Sequence, residues 1–183
     1  MEYNLSLVER VMHGDAAAFA AIFEEYNLQI CHYLCRLVGD DALAEDLAQD
    51  TFIKAYKALS TSSPPRNLKA WLYTIATNSA MSALRRRKII SWLPFSSGAE
   101  ASRDVAGPDW AAQMGERDLI EQALAQLPKK DVACLLLHFR HGLGYPELAD
   151  VFGISVPAAK MRLSRTRASF REAYLRLSQE TEG

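Results

Sequence analysis

Only three cysteines stand in 183 residues: Cys31, Cys35 and Cys134. An odd, sparse set builds no disulfide framework and points to a reducing compartment. No stretch comes near the roughly 20 consecutive apolar residues that cross a bilayer. Met1–Arg10 carries acids and no apolar run, so neither a signal peptide nor membrane insertion is predicted. Strand patterning is nearly absent. An excess of one charge is missing too: 21 Lys and Arg against 22 Asp and Glu leave a net charge of −1, so any nucleic-acid surface must be a local patch. The four histidines (His13, His32, His138 and His141) are scattered, with no paired nucleophile and no metal-ligand spacing. Cys31, His32 and Cys35 lack a second ligand pair and lie among core-type residues, so they read as small buried hydrophobes rather than a metal site. These absences predict a cytoplasmic protein that is not an enzyme and needs no cofactor or metal.

What the chain does have is helical periodicity, nearly everywhere. Asp15 is a plausible N-cap, and Phe19, Ile22, Phe23, Tyr26, Ile30, Tyr33, Leu34 and Leu37 then recur at steps of three and four as one apolar face. Gly39 ends that helix and Asp40 or Asp41 caps the next, whose buried stripe is Ala44, Ala48, Phe52, Ala55 and Leu59. "STSSPPR", from Ser60 to Arg66, reads as a loop. A third long helix follows, with Leu72, Ile75, Ala76, Ser79 and Ala83 inward. Residues 91–115 are rich in Pro, Gly and Ser and read as a linker. At its start "IISWLPF" (Ile89 to Phe95), which begins two residues before it, is too apolar for a solvated tether; it either packs on one of the domains or docks on a larger partner. Periodicity resumes at Glu116 with Leu119, Ile120, Ala123, Leu124 and Leu127. Pro128 opens a helix with Val132, Leu135, Leu136 and Phe139 inward, and Gly142 and Gly144 break it. The fold expected is all-α: two small helical domains, 1–90 and 116–183, joined by a flexible linker, the second a helix-turn-helix.

In the second domain "PELADVF" is a short helix, Gly153 permits a turn, Ile154 plugs it, and Ser155 caps a long helix from Val156 to about Leu177. That helix buries Ala159, Leu163 and Phe170. It presents Lys160, Arg162, Arg165, Arg167 and Arg171 with no acid before Glu172. Surface helices usually intersperse acids as i,i+4 partners. Cations alone on a helix that starts from a tight turn fit insertion into a major groove, where residues near its start meet base edges and later cations meet phosphates.

The third helix of the first domain, "LKAWLYTIATNSAMSALRRRK", differs from a groove reader. Trp71 and Tyr73 come just after a loop, and Arg85, Arg86, Arg87 and Lys88 come at the other end. Rings beside cations suit a single strand, whose unstacked bases lie on rings while cations follow its backbone. Asn78 stands mid-helix, where propensity does not favour it, and can hydrogen-bond a base edge. The plainer alternatives are that Trp71 is core and that the arginine run complements the helix dipole. Asp46, Gln49 and Asp50 share an acidic outward arc of the second helix, which is either ordinary surface or a seat for a basic protein.

"AEDLAQDTFIKAYKAL", "LKAWLYTIATNSAMSALRRRK" and "LPKKDVACLLLHFRHGLGYPELADVFGISVPAAKMRLSRTRASF", in this order and spacing, resemble bacterial RNA polymerase sigma factors, and the short two-domain form resembles the extracytoplasmic-function (ECF) group. The resemblance implies that Asp46, Gln49 and Asp50 dock on the β′ clamp helices of core polymerase. It implies that the loop from Ser62 to Lys69, including Asn67 and Lys69, captures a base flipped from the −10 element. Trp71, Tyr73 and Asn78 would serve −10 recognition and melting, and Arg85 to Lys88 would hold nearby phosphates. Lys160, Met161 and Ser164 would read the −35 element, with Arg162, Arg165 and Arg167 in support. Core polymerase, through the clamp helices and the β flap, promoter DNA and an anti-sigma factor are the implied partners. The chain departs from the family at Thr77, where a cation is usual, at Leu68, where phenylalanine is common, and at Pro157 and Ala158, which open the recognition helix. The rival readings are a free-standing helix-turn-helix regulator, an enzyme, and an adaptor that binds only protein.

Overall fold

The computed structural model describes residues 2–60, 65–90 and 111–182, without the side chains of 2–5, 88–90, 111–116 and 181–182. The linker from 91 to 110, the apolar segment Ile89 to Phe95, the Lys88 side chain and most of the Ser60–Arg66 loop therefore lie outside the described side chains. The described residues are helical, with no strand among them, and they divide into two compact units, one built on helices before residue 91 and one on helices after residue 110.

The first unit comprises α1 (Glu2–Met12), α2 (Ala16–Val38), α3 (Asp41–Leu59) and α4 (Leu68–Ile90). Its boundaries follow from local chemistry. The Asp15 carboxylate accepts the amides of Ala17 at 2.9 Å and Ala18 at 3.2 Å, satisfying donors that a helix start leaves open. Gly39 ends α2 in the left-handed region at φ 73°, which costs a residue without a Cβ little. Asp40 then caps α3 by accepting the Leu43 amide at 2.8 Å. The core is a layer of Ile22, Ile30, Tyr33, Leu34 and Leu37 from α2 against Leu59 from α3 and Leu72 and Tyr73 from α4. Phe23 departs from the expected stripe: it is exposed, its ring edge-on to Phe52 at 4.9 Å. Helix α1 was not expected. Leu7, Val8 and Val11 bury its inner face, and their i, i+1, i+4 spacing is a short version of the periodic signal.

The second unit comprises α5 (Ala111–Ala125), α6 (Lys129–Leu135), a π-helical turn (Leu136–Arg140), α7 (Tyr145–Phe152) and α8 (Val156–Glu182). Helix α5 starts five residues before the expected Glu116 and runs through Gly115. The Ala-Ala-Gln-Met run before that glycine has helix propensity enough to carry it. Pro128 is the N-cap of α6 rather than its first residue. Phe139, expected to face inward, is 61 % exposed. The cause is the π turn, closed by the His141 amide on the Leu136 carbonyl at 3.1 Å. Its extra residue rotates the following side chains off the α-helical stripe. Gly142, at φ 70°, ends the segment. Helix α8 buries Ala159, Leu163, Thr166 and Ala173, with Phe170 only half-buried.

Candidate nucleic-acid interface

In the first unit the expected strand-binding residues separate into distinct environments. Tyr73 is fully buried, edge-on to Tyr33 at 5.3 Å, and burial pushes its phenol above the usual tyrosine range. It is a core residue and offers no face to a base. This corrects the expectation that both rings are available. Asn67 acts structurally as well, since its side-chain oxygen accepts the Ala70 amide at 3.0 Å and caps α4. Lys69, beside it, is half-buried. Thr77 is buried too, its hydroxyl paired with the Tyr33 hydroxyl at 2.8 Å. The absent cation at this position is thus explained by an inward side chain that has a polar partner.

The arginine run is likewise divided. The Arg87 guanidinium pairs with Asp40 at 2.7 Å, tying the end of α4 to the start of α3. The Leu43 amide and then Arg87 hold the Asp40 carboxyl below its usual value. Arg85 is exposed and donates to the Ser82 hydroxyl at 3.2 Å. Arg86 turns to a groove between α3 and α4 of about 450 Å³. The same groove is lined by Trp71, Ile75 and Asn78. Trp71 is half-buried and Asn78 exposed. A ring, an amide with both donor and acceptor atoms, and a cation thus meet at one opening. Its α3 wall carries Asp50, expected only in the docking patch, and Lys54, which the sequence did not single out. Lys54 binds Asp50 at 3.0 Å and the Ser79 hydroxyl at 2.9 Å. The i,i+4 acid–base spacing was its legible signal. Asp46, Gln49 and Asp50 are all exposed.

In the second unit the turn forms as read. Gly153 is left-handed at φ 62°, and the Ser155 hydroxyl accepts the Ala158 amide at 3.3 Å. Lys160, Met161, Ser164, Arg165 and Arg167 are exposed on α8. Arg162 is the exception. It is half-buried and meets Asp131 of α6 at 3.4 Å, so the expected acid-free cluster has an acid from a neighbouring helix. The Arg167 guanidinium lies over the Phe139 ring, 5.7 Å from its centre, a cation–π contact that limits its reach.

Cys31 and Cys35 are half-buried in α2. Burial, then the neighbouring Cys31, raises the Cys35 thiol to about 12. Among the described residues no group of three or more metal-capable side chains comes together. No described helix is long and apolar enough to cross a membrane.

Two family profiles match the chain: Sigma-70 region 2 over residues 22–89 and Sigma-70, region 4 over residues 117–170. The RNA polymerase sigma-H factor of Pseudomonas aeruginosa is 32 % identical, the match covering 98 % of this chain and 97 % of the relative. The ECF RNA polymerase sigma factor SigW of Bacillus subtilis is 29 % identical over 90 % of this chain and 93 % of that protein. Among solved structures, the Bartonella quintana sigma factor RpoE, in complex with the anti-sigma factor NepR, is 25 % identical at a TM-score of 0.66, covering 85 % of this chain and 95 % of that one. CnrH, in complex with the cytosolic domain of CnrY, shares the fold at a TM-score of 0.70 and 23 % identity over 93 % of this chain and 96 % of that one.

Proposed function

The chain belongs to the sigma-70 family as an ECF RNA polymerase sigma factor, and from that membership we propose that its two units read two different forms of promoter DNA. The first unit takes the separated −10 strand and the second takes the −35 duplex. The observation that carries this reading is the groove that gathers Trp71, Asn78 and Arg86. Opening a promoter requires no bond chemistry. It requires a base out of its stack, at a cost of a few kcal/mol, and stacking on a ring returns about 1–3 kcal/mol per base. Trp71 supplies the ring, Asn78 the base-edge contact, and Arg85 and Arg86 the phosphate contacts. Lys69, in the first turn of α4, completes the approach for a flipped base. Asn67 and Arg87 set the ends of α4 rather than touching the strand.

On α8, Lys160, Met161 and Ser164 meet base edges near the helix start, while Arg165 and Arg167 hold phosphates. Arg162 orients the helix through Asp131. Asp46, Gln49 and Asp50 dock on the β′ clamp helices, and the second unit seats on the β flap. An anti-sigma factor covers these surfaces when the protein is idle, a reading supported by the NepR complex of the Bartonella quintana relative. The protein works in the cytoplasm, where polymerase and promoter are. The direct test is run-off transcription with purified core polymerase on a pool of candidate promoters. Promoter-specific transcripts that require the chain are expected. Association with core in the absence of DNA separates this reading from a free-standing regulator, which need not bind core.

A further inference from the structure

Lys54 stands between two surfaces that the proposed function keeps apart. On one side is the docking arc: Lys54 is four residues after Asp50 and binds its carboxylate at 3.0 Å. On the other is the strand groove: the same ammonium donates to Ser79 at 2.9 Å, next in sequence to Asn78, and Lys54 lines the groove with Trp71, Asn78 and Arg86. Asp50 borders that groove as well. In the free chain, then, a cation suitably placed for a phosphate is neutralised by the carboxylate assigned to polymerase docking. The Lys54 and Asp50 side chains are 52 % and 55 % exposed, and an ion pair so open to water contributes little, so exchanging partners costs little. A basic partner surface on Asp50 competes for the carboxylate and repels the ammonium beside it. The Ser79 hydroxyl keeps the released side chain at the groove.

We propose that Lys54 is a strand-binding cation held in reserve by Asp50, and that a basic docking surface on Asp50 releases it into the groove. The inference rests on the strand-groove reading above. It makes docking and strand capture share one carboxylate, so the free chain binds strands less well than the docked one without any rearrangement of the fold.

The test uses the full chain and a fluorescein-labelled single-stranded DNA 12-mer of random sequence, with binding followed by anisotropy across a salt series. Asp50→Asn mimics the loss of the carboxylate's charge. It should tighten binding and steepen the salt dependence by about 0.7, the value for one single-strand phosphate. Lys54→Gln, which keeps a hydrogen-bonding group near Ser79 but no charge, should remove both gains when combined with Asp50→Asn. A gain that survives in the double variant would reflect only the removal of a nearby negative charge and would overturn the proposal. So would an Asp50→Asn variant with an unchanged salt slope. Trp71→Ala separates the premise from the inference. If it leaves strand binding at the wild-type level, the groove reading fails and the proposal with it. If it weakens binding while the Asp50→Asn gain persists without Lys54, only the release of Lys54 is wrong.

Discussion

Helices α4 and α8 are both long and both rich in cations, yet they present them differently. On α8, Lys160 and Arg165 are exposed along a surface that begins at a capped turn, while Arg167 lies over the Phe139 ring and Arg162 meets Asp131. On α4 all the cations but Lys69 are collected at the C-terminal end, and one of them, Arg87, is committed to Asp40. What α4 offers instead is a recess with a half-buried tryptophan and an exposed amide. On the proposed function, the difference follows the form of the DNA. A duplex already has its bases stacked and shows its edges in a groove wide enough for a helix. A separated strand exposes ring faces, which need a ring and a recess to replace the lost stacking.

Four predictions sharpen or break that contrast. The largest effect belongs to Tyr73. As a fully buried ring, its loss in Tyr73→Ala should destabilise the first unit by about 3–5 kcal/mol in chemical denaturation. Trp71→Ala, at the groove, should cost much less stability. Equal stability costs would return both rings to one role. Next is Trp71→Ala in strand binding, where loss of one stacked base predicts about 1–3 kcal/mol weaker binding to single-stranded DNA, with duplex −35 binding unaffected. A matched loss on both would erase the distinction between the units.

The third prediction separates residues within α8. Lys160→Ala should cost about 1–3 kcal/mol and relax preference at one −35 position. Arg167→Ala should weaken all promoters alike and flatten the salt slope by about one unit. Sequence-independent effects from both would reduce Lys160 to backbone positioning. The smallest effect concerns the brace between α3 and α4. Asp40→Ala removes an N-cap and the Arg87 pair, with an expected cost of about 1 kcal/mol. The folded Asp40 carboxyl titrates below its unfolded value. Its contribution is therefore present above the unfolded carboxylate pKa and lost as pH falls through the folded one. Thermal melts of wild type and variant should converge on acidification, and a gap that widens instead would refute this role.

Much of this architecture is legible in sequence because its signals are local. Asp15, Gly39, Asp40, Gly153 and Ser155 each act within a few residues, and each forms the cap or turn its chemistry implies. The rest depends on what a distant helix presents. Tyr73 and Trp71 are two residues apart, and the packing of Tyr73 against Tyr33 of α2 shows which of them is core. Arg162 reads as one cation among several until α6 brings Asp131 to it. Phe139 follows the apolar stripe in sequence, but the π turn shifts the register that stripe assumes. Asn67 matches a strand-binding loop and also the cap its position favours, and the hydrogen bond from the Ala70 amide shows the cap.

The division of labour between the units is tested most directly by run-off transcription from one promoter in two forms, fully paired and with a pre-melted, mismatched −10 bubble. Asn78→Ala and Lys160→Ala are compared on both templates. If Asn78 reads an extruded base, Asn78→Ala should fail mainly on the paired template and recover part of its yield on the bubble, where the unpairing cost is already met. Its closed-complex affinity should stay near wild type, and permanganate reactivity of unpaired thymines should be low only on the paired template. Lys160→Ala should lose closed-complex affinity on both templates and gain nothing specific from the bubble. Equal closed-complex defects in the two variants, with no recovery of Asn78→Ala on the bubble, would contradict the assignment of strand and duplex to separate units.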